Sequence, residues 1–222
     1  MRDLTLVFDL DGTLVDTAPD LLRAVNQVLK NRGLEPIPDE RLMPEISFGG
    51  RHMIETGLRI RNVDYTEAEL EQLFEDFQVY YAANIAVESR PFEGLVSVLE
   101  TWLGKGATLA VCTNKREDLS RQLLDSLGLL RLFKALAGRD TFPVCKPHPD
   151  HLLGTIRMAG GDPARAVMVG DSEVDIATAK AANVPVIGVT FGYTRIPVTE
   201  LAPNAVIDSY AEFNAALDAV LN

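Results

Sequence analysis

The chain has 222 residues, of which 47% are hydrophobic and 24% charged, as expected for one globular domain or for a core domain with a smaller partner. Its net charge of −11 argues against nucleic acid or an anionic membrane surface as the main partner. A small anionic substrate stays compatible with this charge, because a bound divalent cation can invert the local field. No stretch reaches the roughly 18 uninterrupted apolar residues of a membrane span, and the start of the chain does not have the pattern of a signal peptide. We therefore expect a cytoplasmic protein.

The predicted elements begin with an apolar strand over residues 4–8. Helical spacing of apolar residues then continues from 17 to about 85, interrupted by glycines and prolines, and Thr66 with Glu69 forms a capping-box pattern. From residue 91 onward, helices alternate with strands over 107–112, 133–137, 166–169, 184–189 and 205–207, and a last helix covers 210–221. Such alternation predicts βα units and a mainly parallel sheet.

The predicted fold is therefore α/β, with a Rossmann-like, mainly parallel sheet core interrupted by an all-helical insertion. We expect the core to consist of residues 1–15 and 88–222 and the inserted helical domain to consist of residues 16–87. The segments near 15–18 and 86–91 join the two parts, and we expect hinges there.

Two carboxylates, Asp9 and Asp11, follow the first strand. In an extended segment, residues two apart point to the same side, so the two groups can share one small space. Two such charges repel each other unless a cation lies between them or one of them holds a proton. The pattern is compatible with a Mg²⁺ site, but taken alone it favours a turn that closes a strand, the commonest meaning of an Asp-Gly pair.

Polar residues also follow two later strands. Thr113 and Asn114 come after the second predicted core strand, and Asp171 comes after the strand over 166–169, with Asp175 one helical turn further on. Ligands bind at this edge of open parallel sheets, so these side chains are expected to form one site for phosphate and metal. Asp175 has a competing interpretation as an exposed charge in the first turn of a helix.

The remaining candidate residues give weaker signals. The two cysteines, Cys112 and Cys145, have no zinc or disulfide spacing, and each is expected to be a small hydrophobic residue. His148 and His151 are expected in a loop and on a helix surface rather than as ligands. Lys146, in a proline-rich loop, could be either a solvated lysine or a part of the site.

Four short motifs resemble those of the haloacid dehalogenase superfamily. They are FDLDGTL at 8–14, CTNK at 112–115, Lys-Pro at 146–147 and GDSEVD at 170–175, in the order of that superfamily. The insertion after the first motif resembles the superfamily's helical cap, and we call residues 16–87 the cap.

The resemblance implies a role for each matching position. Asp9 would be the nucleophile and Asp11 the general acid and base. Mg²⁺ would be held by Asp9, by the backbone carbonyl of Asp11 and by Asp171, with Asp175 orienting this set of ligands. Further residues would bind the phosphoryl group: Thr113 through its hydroxyl, Lys146 through its charge, and Gly12 and Asn114 through their backbone amides.

The resemblance also indicates a substrate. A second carboxylate argues against dehalogenation, because a halide leaving group needs no proton. The cap segment 48–52 resembles the specificity loop of phosphoglycolate phosphatases, so Arg51 and His52 are expected to bind substrate, with Arg51 pairing with a carboxylate. The alternative for Arg51 is a solvent-exposed residue that opens a helix. We expect a small phosphorylated metabolite as partner, no nucleic acid or membrane, and a monomer or weak homodimer.

Three other functions fit parts of the pattern. A phosphomutase or a pyrophosphatase would use the same core. A receiver-type signalling domain also phosphorylates an aspartate, but it is shorter, has no helical insertion and carries that aspartate on a later strand. A non-catalytic interaction protein would not need Asp9, Asp11, Lys146 and Asp171 together.

Overall fold

A sheet of six parallel strands runs through the middle of the molecule. In the computed structural model, which describes residues 3–221, the strands are β1 (Thr5–Phe8), β2 (Val15–Asp16), β3 (Arg90–Pro91), β4 (Thr108–Cys112), β5 (Ala135–Ala137), β6 (Ala166–Gly170), β7 (Val186–Val189) and β8 (Ala205–Ile207). Six of them form the sheet in the order β5-β4-β1-β6-β7-β8, and β2 pairs with β3 in a separate antiparallel ribbon. The strand order reverses between β1 and β6, which is where such sheets bind ligands.

The helices divide into an inserted group and a group that alternates with the strands. They are α1 (Ala18–Asn31), α2 (Asp39–Leu42), α3 (Gly50–Ile60), α4 (Glu67–Ala83), α5 (Leu95–Gly104), α6 (Glu117–Ser126), α7 (Pro149–Met158), α8 (Glu173–Ala181) and α9 (Phe213–Leu221). Helices α1 to α4 lie between β2 and β3, and the others follow strands of the ribbon or the sheet. Within residues 3–221, no helix has both the length and the apolar character that crossing a bilayer requires.

These elements confirm the predicted α/β fold. The segment between β2 and β3 contains helices only, as the helical spacing predicts, and the capping box of Thr66 and Glu69 is present at the start of α4. A 3₁₀ turn, Met43–Phe48, joins α2 to α3. The assignment of residues 16–87 to a separate domain stays a prediction.

The central strands are apolar on both faces because helices cover both sides of the sheet. Leu6 and Phe8 point into the larger hydrophobic cluster, where the ring of Phe8 stacks on Phe213 of α9 with ring centroids 6.1 Å apart. Val7 points to the opposite side and belongs to a second cluster with Leu152 of α7. Burial on both sides fixes the position of β1 and therefore of the residues that follow it.

Some predicted boundaries were wrong. The strand predicted over 133–137 begins at Ala135, and the strand predicted over 184–189 begins at Val186. The last helix begins with a 3₁₀ turn, Tyr210–Glu212, before α9. The ribbon of β2 and β3 was not predicted, because its two strands are two residues long and pair across the whole insertion.

A buried carboxylate ties the two connecting segments together. Asp20, on the first turn of α1, accepts hydrogen bonds from the backbone N–H of Ser89 at 2.9 Å and from its hydroxyl at 2.7 Å. The backbone N–H of Glu88 also donates to Asp20, at 3.1 Å. These contacts and the adjacent ribbon hold both ends of the insertion beside the sheet, and the hinges expected there stay a prediction.

Candidate active site

Three aspartates converge beyond the carboxyl ends of β1 and β6. Asp9 follows β1, Asp171 follows β6, and Asp175 lies in the first turn of α8. All three are buried, and each offers a carboxylate oxygen such that these oxygens lie within 4.8 Å of one another. The structure thus brings together the residues predicted from two separate motifs, and it rejects the alternative of an exposed Asp175.

Lys146 lies between two of these carboxylates. Its ammonium nitrogen Nζ is 2.7 Å from Oδ1 of Asp9 and 2.6 Å from Oδ1 of Asp175. Burial opposes the positive charge, but Asp175 and Asp9 together raise the pKa of Lys146 above its ordinary value. The side chain is buried, so Lys146 is not a solvated loop lysine.

The expectation that His151 lies on a helix surface was wrong. Its side chain is fully buried, its Nδ1 accepts a hydrogen bond from the backbone N–H of Lys146 at 3.0 Å, and its Nε2 lies 3.0 Å from the carbonyl oxygen of Gly138. Burial, with the charge of Lys146, lowers the pKa of His151 to about 4, so the ring is neutral and Nε2 donates. His151 therefore positions the loop that carries Lys146.

His148 is the exposed loop residue that was expected, and it caps α7 by accepting from the N–H of Asp150.

Asp171 is fixed by two donors that were not predicted. The hydroxyl of Thr13 donates to Oδ1 at 3.0 Å, and the backbone N–H of Tyr193 donates to Oδ2 at 2.6 Å. Gly12 has a φ of 81°, and a β-carbon there would lie 2.5 Å from Oδ2 of Asp171. Glycine is therefore required for the close approach of the first and last motifs.

The amide of Gly12 is not free for a phosphoryl group, which corrects the role expected for it. Its N–H donates to the carbonyl oxygen of Val15 at 3.0 Å. Thr113 is buried, and its hydroxyl oxygen accepts from the N–H of Lys115 at 3.2 Å, which leaves the hydroxyl hydrogen available. Asn114 donates through Nδ2 to the carbonyl oxygen of Lys146 at 2.9 Å and thus links the second and third motifs. Their roles toward a phosphoryl group stay predictions.

Lys115 contacts Asp11 and was missed as a site residue. Its Nζ lies 3.0 Å and 3.2 Å from the two carboxylate oxygens of Asp11 and 4.4 Å from the ring centroid of Tyr81 on α4. Asp11 and Tyr81 outweigh the effect of burial and raise the pKa of Lys115. The signal that could have found it is its place in the CTNK motif, directly after Thr113 and Asn114.

The acidic cluster fits a divalent cation. Burial, opposed by Lys146 and reinforced by Asp175, raises the pKa of Asp9 to about 7, and burial with Asp175 raises the pKa of Asp171 well above its ordinary value. Both shifts show how unfavourable the ionised carboxylates are without a balancing charge. A divalent cation bound between these carboxylates would supply that balancing charge. Carboxylate oxygens are also the ligands that Mg²⁺ prefers.

A cavity of about 80 Å³ lies between this site and the inserted helices. Its polar floor includes Asp9, Asp11, Thr113 and Lys146, and its largely apolar cover comes from the cap segment 46–50 and from α4. A β-carbon at Gly50 would overlap the ring of Phe77, so glycine lets the cap segment pack against α4. The cap closes directly over the acidic cluster.

Arg51 and His52 are placed away from this cavity. Neither is among the residues in 3–221 that line it, although the backbone of the neighbouring Gly50 does. Arg51 forms ion pairs with Glu67 and, at 3.7 Å, with Glu71 on α4. The Nε2 atom of His52 lies 2.7 Å from Glu45. Both side chains are thus engaged by carboxylates of the cap, and their contact with substrate stays a prediction that this arrangement does not favour.

Comparison with known proteins agrees with the motifs. The family model described as haloacid dehalogenase-like hydrolase matches residues 6–189. A phosphoglycolate phosphatase of Agrobacterium fabrum is 47% identical over 211 residues, which cover 95% of this chain and 91% of that protein.

Two solved structures show the same fold. A predicted phosphoglycolate phosphatase of Haemophilus somnus is 30% identical, with a TM-score of 0.90 over 97% of this chain and 98% of that one. CbbY of Rhodobacter sphaeroides, solved in complex with phosphate, is 25% identical, with a TM-score of 0.81 over 98% of this chain and the full length of the other. The site geometry, the family model and these relatives agree: the chain belongs to the haloacid dehalogenase-like hydrolase family and is similar to its phosphoglycolate phosphatases.

Proposed function

We propose that the protein is a Mg²⁺-dependent phosphomonoester hydrolase that acts through an aspartyl-phosphate on Asp9. The observation that carries this proposal is the convergence of Asp9, Asp11, Lys146 and Asp171 under one cover. We further propose 2-phosphoglycolate, or a similar small phosphoester, as the substrate. Support comes from the relatives that bear this name at up to 47% identity over nearly the whole chain.

The first step is attack of an Asp9 carboxylate oxygen on phosphorus, which breaks the bond to the leaving oxygen. The ammonium of Lys146, 2.7 Å from Asp9, holds the nucleophile in place and offsets the charge of the incoming phosphate. Thr113 donates its free hydroxyl hydrogen to a phosphoryl oxygen, and the backbone amide of Asn114 contacts the same group. Asp11 gives its proton to the leaving oxygen.

The second step is hydrolysis of the aspartyl-phosphate. Asp11 lost its proton to the leaving group, so it can now take a proton from the attacking water. Closure of the cavity cover over the bound substrate would limit the access of bulk water to the site.

Asp9, Asp171 and the backbone carbonyl of Asp11 would hold the Mg²⁺ ion. When bound, the ion offsets negative charge so that an anionic nucleophile can approach an anionic phosphate. Asp175 contributes from outside this set: its Oδ1 accepts from Lys146, and its Oδ2 accepts from the Ser172 hydroxyl at 2.7 Å. It therefore positions Lys146 and the start of α8.

The remaining proposals concern the setting of the enzyme. We propose that it acts in the cytoplasm, as a monomer or weak homodimer, where its two cysteines stay reduced. Nucleic acid and membranes are not among the proposed partners, in keeping with the net charge of −11.

The test is phosphate release from 2-phosphoglycolate, glucose 6-phosphate and pyrophosphate, each with Mg²⁺ and with excess chelator. We expect Mg²⁺-dependent release with the highest kcat/KM for 2-phosphoglycolate, complete loss in Asp9→Asn, and normal activity in the control Asp125→Asn, which lies exposed on α6. Higher activity on pyrophosphate, or isomerisation of a sugar phosphate without phosphate release, would replace the proposal with one of the two related functions.

A further inference from the structure

Three aromatic side chains on one face of α4 form a ladder above the acidic site. Phe74 stacks on Phe77 with ring centroids 6.2 Å apart, and Phe77 stacks on Tyr81 at 5.7 Å with an interplanar angle of 1°. All three line the cavity. The ladder therefore fixes the ring of Tyr81, the member that contacts Lys115.

The hydroxyl group of Tyr81 is buried, and its hydrogen has no acceptor within residues 3–221, although its oxygen lies close enough to Lys115 to interact with that ammonium. The residue is 1% exposed, and burial raises the pKa of the hydroxyl to about 12, so it carries its hydrogen at neutral pH. The adjacent Lys115 ammonium has donors only and cannot accept that hydrogen. An unpaired buried donor is unfavourable, so its persistence in a cavity wall points to an acceptor supplied by a ligand.

The position of Tyr81 indicates which part of a ligand it meets. Lys115 connects its ring to Asp11, with Nζ 4.4 Å from the ring centroid and 3.0 Å from Oδ1 of Asp11. In the proposed mechanism, Asp11 protonates the leaving oxygen. Tyr81 and Lys115 therefore face the leaving group rather than the phosphoryl oxygens.

We propose that Tyr81 is a specificity-determining residue whose hydroxyl donates a hydrogen bond to a carboxylate on the leaving group of the substrate, beside the charge of Lys115. This inference rests on the proposed function, because 2-phosphoglycolate carries its carboxylate one methylene from the leaving oxygen. Because the leaving group is so short, its carboxylate stays close to the leaving oxygen and therefore close to Asp11.

The other cations that line the cavity are less suited to this role. Lys146 is paired with Asp9 and Asp175, and Arg116 is held by both oxygens of Asp118. Arg139 is exposed at the surface. Tyr81 is buried above the reacting groups and comes from the cap, so it contacts the leaving group only when the cap is closed.

The test compares Tyr81→Phe with the wild type on 2-phosphoglycolate and on ethyl phosphate, which lacks the carboxylate. We expect kcat/KM for 2-phosphoglycolate to fall about 10- to 100-fold, mainly through KM, as for loss of one hydrogen bond to a charged group. Ethyl phosphate hydrolysis should change less than about twofold. The control is Tyr80→Phe, which changes a neighbouring tyrosine that does not line the cavity and should leave both activities unchanged.

A thermal melt gives an independent measurement. Tyr81→Phe removes a buried hydroxyl whose hydrogen has no acceptor, so its melting temperature should equal or exceed that of the wild type. A marked fall in melting temperature would show that the hydroxyl has a structural partner and would overturn the proposal.

Two further outcomes would also overturn it, and they differ from failure of the proposed function. Equal losses on both esters would mean that Tyr81 acts through Lys115 and Asp11, and no loss on either would mean that it contacts no substrate. If the wild-type enzyme hydrolyses other esters but not 2-phosphoglycolate, that result would instead contradict the proposed function. It would also remove the substrate carboxylate as the proposed ligand of Tyr81.

Discussion

Nδ1 of His151 accepts a hydrogen bond from the backbone N–H of Lys146 at 3.0 Å. The opposite ring nitrogen donates to the carbonyl oxygen of Gly138, so the ring joins the loop of Lys146 to the end of β5. A protonated imidazole could not accept from Lys146. The geometry of the site therefore depends on a neutral histidine.

This dependence predicts how stability changes with pH. The folded protein lowers the pKa of His151 from 6.5 to about 4, so between these values the unfolded chain binds the proton more tightly. Above about pH 6.5, the neutral ring of His151 makes its full contribution to the free energy of unfolding. As the pH falls toward 4, that free energy decreases by up to about 3 kcal/mol.

Urea unfolding at several pH values measures the effect. The difference in unfolding free energy between the wild type and His151→Asn should narrow as the pH falls through this window. His148→Asn is the matched control: it retains a side chain able to cap α7, and its difference from the wild type should stay constant. A constant difference for His151→Asn as well would contradict the neutral, buried histidine.

Gly50 controls how closely the cap segment approaches α4. A methyl group at this position would overlap the ring of Phe77, so Gly50→Ala should displace the aromatic ladder, lower kcat/KM for the substrate, and destabilise the protein by about 1–3 kcal/mol. In the control Gly104→Ala, the new methyl meets no atom within 4 Å, and stability should be unchanged or up to about 1 kcal/mol higher. Equal effects of the two substitutions on activity and stability would show that the contact with Phe77 is unimportant.

Arg195, in the loop after β7, holds the cap to the core. Its guanidinium pairs with Glu45 and lies 4.1 Å from the ring centroid of Phe48, while the hydroxyl of Ser47 donates to the carbonyl oxygen of Tyr193 at 2.6 Å. Because the N–H of Tyr193 donates to Asp171, the loop that contacts the cap also contacts the acidic cluster.

The Arg195–Glu45 pair should stabilise the closed position of the cap more than it contributes to the free energy of unfolding. Arg195→Ala should cost less than about 1 kcal/mol of stability, because the pair is partly exposed, yet raise KM. A double-mutant cycle with Glu45→Gln should give a coupling of about 0.5–1 kcal/mol in kcat/KM. Arg121→Ala, which breaks a surface pair within α6, is the control. A coupling of zero would show that the pair does not contribute to closure.

The parts of the site that could be predicted are those set by short-range pattern. Apolar strands followed by polar residues placed Asp9, Thr113 and Asp171 correctly, because parallel strands end at one edge. Lys146 was assigned to the same site from the Lys-Pro motif at 146–147.

The rest depends on packing between distant elements. Arg51 was expected to face the substrate. Because α3 packs against α4, its side chain instead forms ion pairs with Glu67 and Glu71, which lie one turn apart on α4. The backbone of Tyr193 and the ring of His151 act through contacts that no local pattern encodes.

The most direct test of an aspartyl-phosphate on Asp9 is to trap that covalent intermediate. Wild-type enzyme turning over 2-phosphoglycolate with Mg²⁺ is quenched in acid, reduced with borohydride to mark the acyl phosphate, and digested for peptide mass spectrometry. We expect a mark on Asp9 alone that is absent without Mg²⁺ and absent in Asp9→Asn, which should also be inactive. A mark on another residue, or continued turnover by Asp9→Asn, would contradict it.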